Sequence, residues 1–366
     1  MSQHSTPIPD AGAKLGENNM PKFQTLEDFL EKEQPEDETG QAVLQLCRQL
    51  RTALIKISTI VACGPLAGDL AAAQDTNADG DVQKKLDIVA HDYIIDALKN
   101  SPAAWILSEE QELPIELDRS RPLAIAIDPL DGSSNIETNA PIGTIFSILP
   151  NPGPDATAEE VFLQPGTRQL AAGYCIYGPH TKLVLTIGNG TEMFTLDPLN
   201  KEFRHTRTET AIPETTTEFA VNASNARHWE RAVRSYFDDC IAGDPGIPRG
   251  NYNMRWIASL VAECHRILIR GGVFLYPRDK REGYEQGRLR LLYEANPIAM
   301  LVEQADGYAT TGEQRILEVQ PREFHQRIPL IFGSRREIRR IEDYFAGKNM
   351  TAARSELFRE HGLFNT

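Results

Sequence analysis

Long apolar runs are missing from this 366-residue chain. None approaches the roughly 18 residues that would suggest a membrane span. Missing too is a basic start followed by an apolar core. The opening MSQHSTPIPDAGAKLGENNMPKF is polar and punctuated by Pro and Gly, so residues 1–22 are expected to form a disordered leader, not a secretory signal. Cysteine is sparse and odd in number: Cys47, Cys63, Cys175, Cys240 and Cys264 stand far apart with no CxxC pair. That pattern offers no disulfide framework and fits reduced thiols in a cytoplasm. Cys264 and His265 adjoin on a predicted helix, where neighbouring side chains diverge, so a shared metal is not expected. Positive charge is in deficit. The net charge of −14 would repel nucleic acid and anionic membranes over most of the surface. The basic cluster RREIRR at 335–340 follows Ser334 and contains Glu337, which reads as a capping box heading a solvated helix face.

What is present suits a globular protein of two domains: 41% of residues are hydrophobic and 25% charged. Leu46, Leu50, Leu54 and Ile57 make one stripe of a helix over 42 to about 60. A second helix is predicted over 86–98, with Leu86, Val89, Tyr93, Ile94 and Ala97 inward. Strands are predicted at 123–127, 144–149, 182–187 and 193–196. Around 197–215 the chain turns polar and rich in Thr, Glu and Pro, which suggests a domain boundary. Beyond it, helices are expected at 255–267 and 297–306 and strands at 272–276 and 328–333. Asn296 and Pro297 read as a helix N-cap and first position, and Gly307 as a stop.

Two acidic stretches raise chemical questions. DTNADGDVQKKLD, at 75–87, mimics a calcium loop, with acidic or amide residues at alternate positions and glycine sixth. An EF-hand needs Glu at position twelve; here that position is Leu86, and Gly and Pro break the expected preceding helix. The aspartates therefore need another task. LAIAIDPLDGSSN, at 123–135, runs a buried-type strand into Asp128 and a turn that holds Asp131, Gly132, Ser133 and Ser134. Two aspartates three residues apart can face one cation, and the amides and hydroxyls after them suit a phosphate. Asp, Gly and Ser are also ordinary turn formers, but the strand leading in favours a site, because α/β proteins place sites at strand ends. Glu109 and Glu110 end another apolar run, and Glu294 follows RLRLLY. Convergence of these groups with Asp81 and Asp87 would be untenable without cations: like charges about 4 Å apart repel by roughly 4 kcal/mol at an effective dielectric of 20. All-oxygen ligation favours Mg²⁺ or Mn²⁺ over Zn²⁺. Such ions beside a phosphate-binding turn point to metal-assisted hydrolysis of a phosphate ester.

GDVQKKLD, ILSEE, DPLDGSSNI, APIGTIFSI, LQPGTRQLAAGY and LRLLYEANPIAMLVEQADGYATTG together resemble the class I fructose-1,6-bisphosphatases. The resemblance implies an α/β protein of five α/β/α/β/α layers in two α/β domains. An allosteric-type domain at 23–207 would carry most metal ligands, and 208–366 would form the substrate domain. It implies two or more Mg²⁺ ions held by Glu109, Glu110, Asp128, the Leu130 carbonyl, Asp131 and Glu294. Asp81 would lie on a mobile catalytic loop, and Asp87 with Glu110 would activate the attacking water. Gly132, Ser133 and Ser134, beside Asp131, would hold the 1-phosphate. Asn222, Arg255, Tyr276 and Arg288 would bind the 6-phosphate and sugar. The implied assembly is a homotetramer in which Arg255 reaches a neighbour's site.

The implied reaction is hydrolysis of fructose 1,6-bisphosphate, in gluconeogenesis or the Calvin cycle. Sedoheptulose 1,7-bisphosphate is the alternative substrate, and a non-catalytic metal- or sugar-phosphate-binding regulator the non-enzyme alternative. The chain departs from the family pattern in having Trp256 for Tyr, Arg288 for Lys, and Asn225 for a phosphate-binding Tyr. AMP-regulated relatives use a TGEMT-like helix start and a Lys-Tyr pair. Here only Thr39 and Gly40 keep the former, and Pro122 and Leu123 replace the latter, so weak inhibition by AMP is expected.

Overall fold

Leu123–Asp131 is the strand on which the architecture turns. The computed structural model describes residues 23–33, 35–70, 72–76, 82–208, 210–243 and 250–348; the predicted leader and Asp81 lie outside them. Alternate residues of this strand serve opposite faces: Ile125 and Ile127 join one core, Ala124 and Ala126 another. The strand sits in an eight-stranded mixed sheet. It pairs in parallel with Ala103–Ser108 and antiparallel with Ile142–Pro150. Ala171–Tyr177, Lys182–Thr186, Glu192–Asp197 and Glu202–Arg207 continue beyond the latter, and Ile115–Glu116 closes the other edge.

On one face lie the helices Glu38–Cys63 and Lys85–Leu98. The first is long and apolar enough to cross a membrane by length and composition, although Arg48, Arg51 and Lys56 break any continuous apolar run. Its Leu46, Leu50, Leu54 and Ile57 are nevertheless packed against the sheet at 0–1% exposure, each burial contributing roughly 1.5–3 kcal/mol. One stripe of this helix is thus committed to the core beneath the sheet. The opposite face of the sheet packs on Leu260–Arg270 and Asn296–Glu303. These helices in turn cover a five-stranded sheet ordered Asn253–Met254, Glu218–Val221, Val273–Tyr276, Leu330–Gly333, Tyr308–Thr310. Arg231–Ala242 and Arg335–Phe345 cover its outer face. Helix, sheet, helix, sheet, helix: the five expected layers are present.

Several local expectations differ from the structure. The helix predicted from 255 begins at Leu260, because Asn253–Met254 pairs in parallel with Glu218–Val221 and Ser259 supplies the cap through Ala262 N–H. Asn296 is not a cap. A π-helical turn, Leu291–Ala295, runs directly into Asn296–Glu303, so Pro297 falls inside a continuous helical stretch. After Glu303 the left-handed residue is Asp306 (φ 63°), not Gly307. Glycine is needed at 307 for space, since a Cβ there would meet Val302 Cγ1 at 2.6 Å and the Gly333 carbonyl at 2.9 Å. Ser334 forms no side-chain cap; its hydroxyl accepts from Gly272 N–H, and Glu337 turns inward to Tyr252 and Arg340. The polar stretch from 197 includes the strand Glu202–Arg207.

Candidate active site

Asp128 and Asp131 are three residues apart, so on a regular strand they would face opposite sides. They do not, because the ladder slips. Asp128 pairs with Ile145 and Asp131 with Gly143, three steps against two. This bulge re-aims the strand end. Asp128 Oδ1 accepts the Leu130 amide at 2.9 Å, and Gly132 (φ 78°) turns the chain into the 3₁₀ turn Ser133–Asn135. Strand pairing therefore continues to Asp131, past the expected end at 127.

The neighbouring parallel strand delivers Glu109 and Glu110. Glu109 N–H donates to Ile127 O at 3.1 Å, and Glu110 N–H to Ser108 Oγ at 3.3 Å. That hydroxyl is 2.9 Å from His91 Nδ1, on the helix that also carries Asp87. Asp87 occupies the third helical position, its Oδ2 accepting Lys84 N–H at 2.7 Å. Glu294 arrives from the π-helical turn, a distortion common at functional sites, and accepts the Arg290 amide.

These groups line one cleft of ≈ 580 Å³. Oxygens of Asp128, Asp131 and Glu294 lie within 4.8 Å of one another, all three residues buried. Burial, then the repulsion of Glu109, Asp131 and Glu294, holds the Asp128 carboxyl well above its ordinary range. Glu294 is raised likewise by burial and by Glu109 and Asp131. Burial pushes Glu109 up to about 8, Arg290 opposing and Glu110 reinforcing. It lifts Asp131 to about 6 and Asp87 to about 7. A buried cation is built in: Arg290, 2% exposed, has Nε 3.8 Å from Glu109 Oε1. One guanidinium cannot neutralise so many carboxylates. An oxygen-only set of this charge and spacing fits a hard divalent ion.

Asp87, Glu109, Glu110, Asp128, Leu130, Asp131, Gly132, Ser133, Ser134, Asn222, Trp256, Tyr276, Arg288 and Glu294 all border the cleft. Asp81 is outside the described residues. Among the described residues, one expected member of the site does not join them. Arg255 turns outward, its side chain half exposed and 3.7 Å from Glu218. At the far end Trp256 stacks on Phe274 (6.1 Å, 9°), and Arg288 Nη1 donates to Tyr284 OH at 2.6 Å. Sequence reasoning missed Arg290, Lys84 and Phe274, which also border the cleft. Arg290, in RLRLLYEA four residues before Glu294, was the one with a usable signal.

Five alternating layers with an acidic, oxygen-only cluster beside a turn rich in backbone amides frame a metal-dependent phosphatase. The family description "Fructose-1-6-bisphosphatase, N-terminal domain" matches residues 24–208, and "Fructose-1-6-bisphosphatase, C-terminal domain" matches 212–346. Among curated relatives, "Fructose-1,6-bisphosphatase class 1 1" of Nitrobacter hamburgensis is 51% identical over 347 residues, covering 94% of this chain and 99% of the relative. "Fructose-1,6-bisphosphatase class 1" of Rhizobium meliloti is 52% identical over 330 residues, covering 90% and 95%. A solved structure, the holo form of Leishmania major fructose-1,6-bisphosphatase, superposes with a TM-score of 0.82 at 36% identity, over 89% of this chain and all of that one. The chain belongs to the fructose-1,6-bisphosphatase family, whose members are metal-dependent phosphoric monoester hydrolases.

Proposed function

We propose that this enzyme hydrolyses the 1-phosphate of fructose 1,6-bisphosphate to give fructose 6-phosphate and phosphate. The observation that carries the reading is the meeting of Glu109, Glu110, Asp128, Asp131 and Glu294 with the Gly132, Ser133 and Ser134 turn in one cleft. Glu109, Glu110, Asp128, the Leu130 carbonyl, Asp131 and Glu294 would hold two or more Mg²⁺ ions, with Mn²⁺ as a substitute. Bound there, the metal would supply Lewis acidity and lower the pKa of water. The amides and hydroxyls of the 132–134 turn hold the 1-phosphate against Asp131. Asp87, with a carboxyl raised to about 7, is poised near neutrality to take a proton from the attacking water, and Glu110 orients that water. Oxygen bonds to phosphorus, the bond from phosphorus to the C1 oxygen breaks, and that oxygen gains a proton. Asn222, Trp256, Tyr276 and Arg288 grip the sugar and its far phosphate. Arg255 faces away from its own cleft and would serve a neighbour's in a homotetramer. A catalytic part for Asp81, which lies outside the described residues, is what the family pattern implies. Residues 23–207 and 208–366 are the two domains, with the cleft at their seam. Four of the five cysteines are buried and all are unpaired, which supports a reducing cytoplasm.

A second substrate, sedoheptulose 1,7-bisphosphate, is favoured by one feature. The far end is altered from the family pattern: Trp256, stacked on Phe274, stands in place of a Tyr, and Asn225, which lines a pocket with Asn222 and Tyr276, in place of a phosphate-binding Tyr. The test is phosphate release from a panel of sugar bisphosphates with and without Mg²⁺. Absence of release from every member with metal present would overturn the reading.

A further inference from the structure

Glu263 has 0% exposure and lies outside the cleft, yet it holds a segment that borders it. The five-stranded sheet secures every second amide of that segment as it leaves the sheet edge. Asn253 N–H donates to Thr217 O at 2.8 Å, and Arg255 N–H to Phe219 O at 2.7 Å. At the next position the acceptor is a side chain and not a carbonyl of the neighbouring strand. Glu263 Oε1 takes its place, accepting Ile257 N–H at 2.6 Å. The carboxylate is fixed in turn: Oε2 accepts Arg266 Nε and Nη2 at 3.2 and 3.1 Å, and Arg266 Nη1 donates to Glu218 Oε2 at 2.9 Å. Glu218 also takes Arg270 at 3.0 Å and lies 3.7 Å from Arg255. On the other side, Asn135 of the phosphate turn donates to Ala258 O at 2.8 Å, and Ala258 holds φ 61°.

We propose that Glu263 is a positioning residue: its carboxylate extends the strand ladder by one step and thereby sets Trp256 into the cleft and Arg255 out of it. The proposal rests on the hydrolase reading of the same cleft. Along extended backbone, successive side chains alternate in direction. Release of the Ile257 amide frees the segment to rotate and removes the far wall of the sugar site, while the carboxylates and the phosphate turn stay on their own strands. The effect belongs to substrate binding and not to the bond-breaking step.

The test compares Glu263→Leu with Glu263→Gln, since glutamine keeps the Oε1 acceptor. Glu263→Leu is expected to raise KM for fructose 1,6-bisphosphate about tenfold or more with kcat within about threefold. Glu263→Gln should stay within about threefold of the parent enzyme in both. A second readout needs no substrate. Trp105 and Trp229 are each only 6% exposed, so acrylamide quenching reports mainly on Trp256, and it should change in the Leu variant alone. Should Glu263→Leu fail to fold, the double variant Glu263→Leu, Arg266→Leu removes both buried charges together and is read the same way. A folded Leu or double variant with unaltered KM and quenching would overturn the proposal. Lack of hydrolysis by the unmodified enzyme would instead remove the functional reading, leaving the quenching comparison to decide the positioning role.

Discussion

Asp128 is buried among Glu109, Asp131 and Glu294, and both burial and those carboxylates oppose a bare charge there. The same crowding makes it useful once a cation is bound. Asp128→Asn should therefore act in opposite directions on two measurements. In phosphate-release assays with saturating Mg²⁺, kcat should fall about 10³-fold, because a ligand charge needed in the transition state is gone. In metal-free buffer the melting temperature should hold or rise, because one repelling carboxylate has been removed. Glu110→Gln should lower kcat by a similar factor. Full activity of either variant, or full activity of the parent enzyme in excess chelator, would contradict the metal reading.

At the scale of elements, the site is held by three local irregularities: the bulge at Asp128 and Asp131, the left-handed Gly132, and the π-helical turn around Glu294. Each presents a carboxylate or an amide that regular structure would direct elsewhere, and together they concentrate acid. Asp87 at about 7, Glu109 at about 8 and Asp131 at about 6 are all raised above their unfolded values near 4. The folded state thus binds more protons than the unfolded chain across that interval. The stabilisation is complete below the unfolded pKa values and is lost as pH rises through the folded ones. Metal-free protein should accordingly melt at a lower temperature at pH 8 than at pH 6. Mg²⁺ should raise the melting temperature more at pH 8, where the carboxylates are ionised. Calorimetry at the two pH values, with and without metal, checks both.

These irregularities also mark the limit of what could be read from the residues. Strand Leu123–Asp131 was legible from its unbroken apolar run, and the helix Glu38–Cys63 from its stripe. The acidic residues were legible as chemistry because ordinary turns do not need so many. The π-helical turn was hidden because Asn296 and Pro297 spell a helix start, while tertiary packing carries the helix through them. The late start of Leu260–Arg270 was hidden because Asn253–Met254 pairs with a strand distant in sequence. Arg290 drew no reading, because its partner Glu109 lies far away in the sequence.

For the whole molecule, the outward Arg255 gives a test of assembly. Chains carrying Arg255→Ala, mixed and reassembled with chains carrying Asp128→Asn, should regain activity if each arginine serves a neighbour. No recovery in confirmed hybrid tetramers would assign Arg255 to its own cleft. Regulation is testable too. Arg121, the cation nearest the replaced Lys-Tyr pair, already donates to the carbonyls of Lys99 and Ser101 at 3.0 and 2.8 Å, and Pro122 has no amide hydrogen. Loss of a charge-assisted phosphate contact costs roughly 1.5–3 kcal/mol, so AMP should inhibit tenfold or more weakly than in AMP-regulated relatives. An inhibition constant in the low micromolar range at saturating Mg²⁺ would show otherwise.

The carboxylate cluster draws Asp128 and Asp131 from the first half of the chain and Glu294 from the second. Contacts between such distant segments form late, after their loop-closure cost has been met. During synthesis the bulged strand emerges well before Glu294 exists, so a divalent ion meets only part of its ligand set at that stage. Tight binding therefore has to wait for the finished protein. The ion should slow unfolding while leaving the rate of refolding nearly unchanged, as a contact absent from the transition state does. In this fold the metal would act as a clasp fastened last, one that reports that both sheets have docked correctly.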